Sequence, residues 1–280
     1  MLQFLFSLVP KNLLSATVGA LAQVKLPARL ATPLLGVFSR CYGINFDESK
    51  QPLTEFKSLS ELFLRDLKPW VRPIDDGVVS PVDGRLTQCG PIEDGCLVQV
   101  KGKRYSVASL LKDESSAARF RNGYYITIYL APGDYHHIHA PVDGRVVRTR
   151  HIEGALWPVN EWSLERIDEL FAVNERVVSF IESSVGMVAL VMVGATNVGS
   201  IRLSYSDLRA NQPPYFRRRT GVNDREENPP IPLGRGERIA SFHLGSSIVL
   251  LFEPQVFRPG VGCRLGRVRY GERLDEKESS

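Results

Sequence analysis

The chain predicts an α+β fold, a β-rich core preceded by amphipathic N-terminal helices. Residues 1–46 contain no Asp or Glu, yet carry Lys11, Lys25, Arg29 and Arg40 among many Leu, Val and Ala. From Val78 onward, short apolar runs alternate with Gly, Pro and Asp clusters, the texture of strands joined by turns. A hydrophobic content of 43% and a charged content of 24% over 280 residues suit one large folded domain or two small ones.

In the N-terminal segment no apolar run reaches the roughly 18–20 residues that span a bilayer. Met1–Val9 precedes the first charge, the reverse of a secretory signal. Broken by Pro10, Pro27 and Pro33, the segment reads as short helices lying on a membrane surface. Helices packed on the protein's own core, or a transit peptide, would share this composition. Next, Leu59–Leu67 has helical spacing, with Ser58 or Ser60 as cap, Glu61 in the first turn, and Pro69 and Pro73 to end it.

Strands are expected at Leu97–Val100, Tyr124–Leu130, Val177–Ile181, Met187–Val193 and Ile248–Phe252, and a short helix at Val107–Leu111. Trp157–Phe171 fits either type. Asn211–Pro232, polar and rich in Pro, Arg and Asn, reads as a long surface loop. Pro81-Val82-Asp83-Gly84-Arg85 recurs as Pro141-Val142-Asp143-Gly144-Arg145, two similar turns each leading into a strand.

A net charge of +4 does not mark a nucleic-acid binder; it suits an anionic membrane surface or an acidic substrate. Cys41, Cys89, Cys96 and Cys263 form no C-x-x-C pair and read as mostly buried free thiols. Three of the five histidines fall in Asp134-Tyr135-His136-His137-Ile138-His139. On a strand His137 and His139 share a face; on a helical turn His136 and His139 do. A metal site lacks a second ligand cluster, which leaves acid–base work or a structural cluster. Asp83, His139 and Ser246 could form an Asp–His–Ser set, but there is no G-x-S-x-G elbow to support an ordinary serine hydrolase. A β-rich membrane-binding module without catalysis is the remaining class. The small-residue stretch Leu244-Gly245-Ser246-Ser247 leads into an apolar strand, a place where the backbone can expose a serine.

Ser80-Pro81-Val82-Asp83-Gly84, Ala131 through His139, and Leu244-Gly245-Ser246-Ser247 together resemble the bacterial, membrane-associated phosphatidylserine decarboxylases. Phe120-Arg121-Asn122-Gly123, Val173 through Val177 and Val193 through Ile201 extend the resemblance, in order, over nearly the whole chain. The resemblance implies a catalytic domain over residues 47–280 behind membrane-association helices in 1–46. It implies self-cleavage between Gly245 and Ser246, giving a large chain 1–245 and a small chain 246–280. Asp83, His139 and Ser246 match the self-processing triad, and His136 matches the histidine of the decarboxylation step. The family's Thr in the cleavage motif is Ser247 here, which keeps a hydroxyl.

In the chemistry so implied, His139 takes the proton of Ser246, and Asp83 fixes its tautomer. Ser246 attacks the Gly245 carbonyl, β-elimination frees Gly245 as a carboxyl terminus, and loss of ammonia leaves a pyruvoyl group at position 246. That group, rather than pyridoxal phosphate or a metal, forms a Schiff base with phosphatidylserine and draws off electrons as carbon dioxide leaves. His136 returns a proton, and phosphatidylethanolamine is released. The resemblance further implies a homodimer, peripheral on the cytoplasmic face of the bacterial inner membrane, with no nucleic-acid partner.

Overall fold

The computed structural model describes residues 11–196, 201–211, 220–242 and 246–277. Two helices open it, α1 (Lys11–Gln23) and α2 (Ala28–Tyr42), then a 3-10 turn at Leu53–Glu55 and α3 (Leu59–Phe63). Pro27 separates α1 from α2, but α2 runs through Pro33. Its flanking Ala31 and Leu35 are buried against Phe56 and Leu62, and that packing holds the helix across the missing N–H. The other side of the pair stays apolar and exposed: Leu21, Val24, Leu30, Leu34 and Val37 each leave half or more of their surface in solvent. These helices therefore pack on the protein through one face and offer leucines outward on another.

Helix α3 starts where Ser58 caps it, accepting from Glu61 N at 3.1 Å, while the Glu61 carboxylate accepts from Lys57 N. It ends at Phe63, well before Pro69, so the stop is not proline. Just past its end the Arg65 guanidinium donates to the Gly133 carbonyl at 2.8 Å.

The core then follows as β1 (Gly84–Pro91), β2 (Cys96–Val100), β3 (Lys103–Ser106), α4 (Val107–Leu111), α5 (Glu114–Phe120), β4 (Tyr124–Leu130), β5 (His137–His139) and β6 (Gly144–Ile152). After it come α6 (Glu161–Arg166), α7 (Leu170–Val173), β7 (Arg176–Ser183), β8 (Gly186–Val193), β9 (Ile201–Leu203) and β10 (Val222–Leu233). The chain closes with β11 (Arg238–Phe242), β12 (Ser246–Phe252) and β13 (Gly266–Val268). All five expected strands and the Val107–Leu111 helix are present. Trp157–Phe171 resolves into α6 and the start of α7. The expected loop at Asn211–Pro232 is different: from Val222 it is strand β10. An edge strand needs no apolar face; Pro229 and Pro230 fall at a register shift between Glu226 and Ile231, and Pro232 sits opposite Arg145. The part of that loop at residues 212–219 lies outside the described residues.

An eight-stranded antiparallel sheet runs in the order β10-β6-β7-β8-β12-β4-β1-β13, and a three-stranded sheet in the order β5-β11-β9. Central strand β12 is buried at every residue, which explains its unbroken apolar run.

The Pro-Val-Asp-Gly echo is a structural repeat. Strand order is symmetric about the β8–β12 pair, so β13-β1-β4-β12 answers β10-β6-β7-β8. Gly84 pairs with Val268 and Gly144 with Leu233; bulges follow at Leu86 and at Val146, two residues after each Gly. His139 N donates to Pro81 O, and Val79 N to Pro141 O, both at 2.9 Å. Gly-Glu-Arg at 236–238 and at 271–273 completes the two copies. Gly236 N donates to Ala140 O and Gly271 N to Ser80 O. Both glycines have positive φ, which favours Gly there.

Candidate active site

Ser246 is the first residue of β12, paired with Leu130, and it and Ser247 are fully buried. Neither hydroxyl has a hydrogen-bond partner among the described residues. A buried polar atom left unpaired is costly, so such orphans concentrate where chemistry uses them. A cavity of about 300 Å3 reaches Ser246, and Val18, Phe38, Tyr42 and Phe63 of the N-terminal helices line it. Leu244 and Gly245 lie outside the described residues, as do Asn197 through Ser200.

The histidine segment is tied to this serine through the backbone. Phe242, four residues before Ser246, donates its N–H to the His136 carbonyl at 2.9 Å. β11 also pairs with β5. His137 and His139 thus sit on one strand, with His136 just before it. Their roles separate by hydrogen bonding. His137 donates from Nε2 to Leu64 O at 3.1 Å and accepts at Nδ1 from Ser241 Oγ at 2.7 Å, so it is a structural link.

His136 and His139 share a different tautomer. His136 Nδ1–H donates to Asp134 O at 2.8 Å, and His139 Nδ1–H to Gly236 O at 2.7 Å. Carbonyls only accept, so in both rings the lone pair is on Nε2. In His136 that atom is buried and unpartnered among the described residues, with the Phe63 ring edge-on at 4.9 Å. In His139 it faces Tyr135 Oη at 3.3 Å. Burial, the leading cause in each case, pushes His136 down to about 3 and His139 to about 4. Both are neutral imidazoles with the lone pair on Nε2, and burial makes a positive charge on either ring costly.

Asp83 is buried at the start of β1. Its Oδ1 accepts from Arg72 Nε at 3.0 Å and from Tyr270 N at 2.9 Å, and its Oδ2 accepts from Arg72 Nη2 at 2.6 Å. Tyr270 joins Asp83 to His139, because its ring stacks on the imidazole at a centroid distance of 3.8 Å. The structure brings Asp83 and His139 to one tyrosine. The group on His139 Nδ1 is the Gly236 carbonyl, however, where the sequence suggested Asp83. Asp143, from the repeated Pro-Val-Asp-Gly turn, occupies the equivalent place in the second copy. Arg235 N donates to it at 2.8 Å, but its side chain is 69% exposed.

Arg65, Arg72 and Tyr270 escaped the sequence reading, and Tyr135 was read there only as part of the histidine motif. Of the first three, the repeated Gly-Glu-Arg, with Tyr270 one residue ahead of its second copy, could have pointed to Tyr270. Val173 through Val177 proves architectural: Asn174 Nδ2 donates to the Trp157 and Gly194 carbonyls at 2.9 Å, steadying the Ala195–Thr196 rim of the cavity. Among the described residues no three His, Cys, Asp or Glu side chains gather as for a metal ion. The four cysteines are free, but only Cys263 is buried; Cys41 is exposed because it lies late in α2, on its solvent side.

A buried, unpartnered serine at the head of a central strand, joined to the neutral His136 through Phe63 and the Phe242 N–H, defines an enzyme site built on serine and base. The comparisons agree with that class. The family model described as phosphatidylserine decarboxylase matches residues 59–275. A phosphatidylserine decarboxylase proenzyme of Anaeromyxobacter sp. (strain K) is 43% identical over 92% of this chain and 94% of its own length. One from Myxococcus xanthus is 36% identical over 90% of this chain and 89% of its own. A mitochondrial proenzyme of Rattus norvegicus is 39% identical over 89% of this chain and 68% of its own. The chain belongs to the phosphatidylserine decarboxylase family and is a decarboxylase.

Proposed function

We propose that the chain is a proenzyme that cuts itself between Gly245 and Ser246 and then decarboxylates phosphatidylserine to phosphatidylethanolamine and carbon dioxide. The observation that carries this is Ser246 itself: fully buried, its hydroxyl unpartnered among the described residues, at the edge of an apolar cavity. Self-processing moves the serine oxygen onto the Gly245 carbonyl and then breaks the bond from that oxygen to the serine Cβ. One water enters and one ammonia leaves. His139 Nε2 takes the serine proton, with Tyr135 the group that now faces that lone pair. Arg72 and Tyr270 N hold the Asp83 carboxylate in place, and the Tyr270 ring carries that position to His139.

A pyruvoyl group at position 246 fits the buried site, and when formed it supplies a ketone that takes the substrate amine and draws off electrons as carbon dioxide leaves. The apolar cavity favours loss of a localised carboxylate charge. Cleavage need not release the small chain. Ile248–Phe252 lie buried between β8 and β4, worth on the order of 10 kcal/mol in side-chain burial. Beyond them, β13 pairs with β1 and Leu274 N donates to Val78 O.

Among the described residues no helix is long and apolar enough to cross a membrane. The exposed leucines of α1 and α2, with Lys25, Arg29 and Arg40 on the same segment, support peripheral docking on an anionic surface, which we assign to the cytoplasmic face. A homodimer is the assembly we assign in solution, checked by sedimentation equilibrium.

Intact-mass measurement of the purified protein tests the reading. Two chains, 1–245 and 246–280, the second beginning with a pyruvoyl group, are expected to copurify and to separate only on denaturation. A folded, uncut chain with free Ser246 would overturn it, and a serine hydrolase would give that single band.

A further inference from the structure

Resting on that reading, we propose that Arg65 is a positioning residue: it fixes the carbonyl that selects the His136 tautomer, leaving Nε2 free to take a proton and return it. Arg65 follows α3 and is 5% exposed. One nitrogen, Nη2, donates to Gly133 O at 2.8 Å and to Asp134 O at 3.1 Å, while Nη1 reaches Leu62 O at 3.4 Å. The Asp134 carbonyl is the same one that receives His136 Nδ1–H. A guanidinium and an imidazole therefore converge on a single oxygen. With a cation already on that carbonyl, a second positive charge on the ring is disfavoured, and the ring is held as the Nδ1–H form.

Burial is the main force that keeps His136 neutral, and the Asp134 carbonyl that receives its Nδ1–H works against it. Arg65 and, on β5, His137 both oppose its protonation. The Asp134 carboxylate is turned away, accepting from Ala131 N at 2.8 Å and from Arg267 at 2.9 Å. Phe63 of α3 offers only a ring edge. No carboxylate pulls a proton onto the ring among the described partners.

A neutral His136 changes what the residue can do in the reaction. An amine must lose a proton before it adds to a ketone, and the carbon that loses carbon dioxide must gain one. His136 enters as a base, takes the first proton at Nε2 and delivers it as the second. The product amine takes its own proton from solvent on release, so the sequence balances. A permanently protonated histidine could serve only the second step.

The test is two-bond proton–nitrogen NMR on the full-length, matured protein labelled with nitrogen-15 histidine in detergent, with His136 assigned from the spectrum of His136→Asn. The wild type should show one neutral Nδ1–H imidazole near neutral pH. Arg65→Met should mix the tautomers, raise the ring's titration midpoint and lower kcat at least about tenfold with little change in KM. Arg65→Lys, which keeps a cation able to donate to both carbonyls, should restore the single tautomer and part of kcat. A protonated or Nε2–H ring in the wild type would overturn the proposal with no variant needed. So would an unchanged tautomer in Arg65→Met, or in Arg65→Gln should the methionine variant not fold. Because the tautomer is read without turnover, a correct tautomer in a protein that releases no carbon dioxide refutes the proposed function and not this inference.

Discussion

Arg72 closes a two-point fork on Asp83, with Nε on one carboxylate oxygen and Nη2 on the other, and reaches Glu48 Oε2 at 2.7 Å with the same Nη2. Both members of the fork are largely buried. Removing one partner strands the other as an uncompensated buried charge. Arg72→Met should therefore cost about 3–5 kcal/mol in urea denaturation and slow the appearance of the 246–280 chain. Arg72→Lys keeps the charge but loses the fork, so its loss should be smaller. An unmoved urea midpoint in the methionine variant would mean that the fork does not hold Asp83.

The repeat gives an internal control. Asp83 and Asp143 fill equivalent turns, and each accepts a backbone N–H from the residue two beyond the cross-strand partner of the glycine that follows it. Only Asp83 is buried and near the His139 stack. Asp83→Asn should block self-cleavage on a denaturing gel. Asp143→Asn should process normally and lose no more than about 0.5 kcal/mol, as exposed positions do. Equal processing defects in both would reduce Asp83 to turn chemistry.

Acid should destabilise the protein in a defined window. His136 and His139 are held at about 3 and about 4 in the folded state, against roughly 6.5 when unfolded. Below that unfolded value the unfolded chain binds more protons, so stability present above it is lost as pH falls toward the folded values. At about pH 5 the two histidines together should remove up to about 4 kcal/mol. Urea midpoints at about pH 7.5 and about pH 5 measure this, and equal midpoints would place both rings in water.

Membrane docking should divide into an apolar and a charged part. Changing Leu21, Leu30 and Leu34 to Gln should weaken partitioning to phospholipid vesicles at least about a hundredfold, whatever the salt. Changing Lys25, Arg29 and Arg40 to Gln should cost about 1 kcal/mol each on anionic vesicles and almost nothing at high salt. Vesicle sedimentation reads both, and unchanged binding in the leucine variant would leave those helices as packing elements only.

Strands such as Tyr124–Leu130 and Ile248–Phe252 were legible because a strand buried on both faces must be apolar throughout, and that is a local property of sequence. Strand β10 was not. At a sheet edge neither polarity nor proline is penalised, so its sequence carries no strand signal. Asp83, His136, His139 and Ser246 were singled out through ordered motifs and their family resemblance. Arg65 and Arg72 were not, because a single arginine in a polar stretch looks the same whether it faces water or a buried carboxylate.

By itself the sequence determined the α+β class, the apolar strands, the basic acid-free N-terminus and the serine at which the chain is expected to break. Only the tertiary structure decided that Gly236 and Asp134 carbonyls choose the histidine tautomers, that Arg72 and Tyr270 cage Asp83, and that α1 and α2 both wall the cavity and expose leucines. The reason is distance along the chain. Arg65 meets Gly133 and Asp134 across 68 and 69 residues, and His139 meets Gly236 across 97. Hydrogen bonds that long in sequence exist only once the sheets have closed around them.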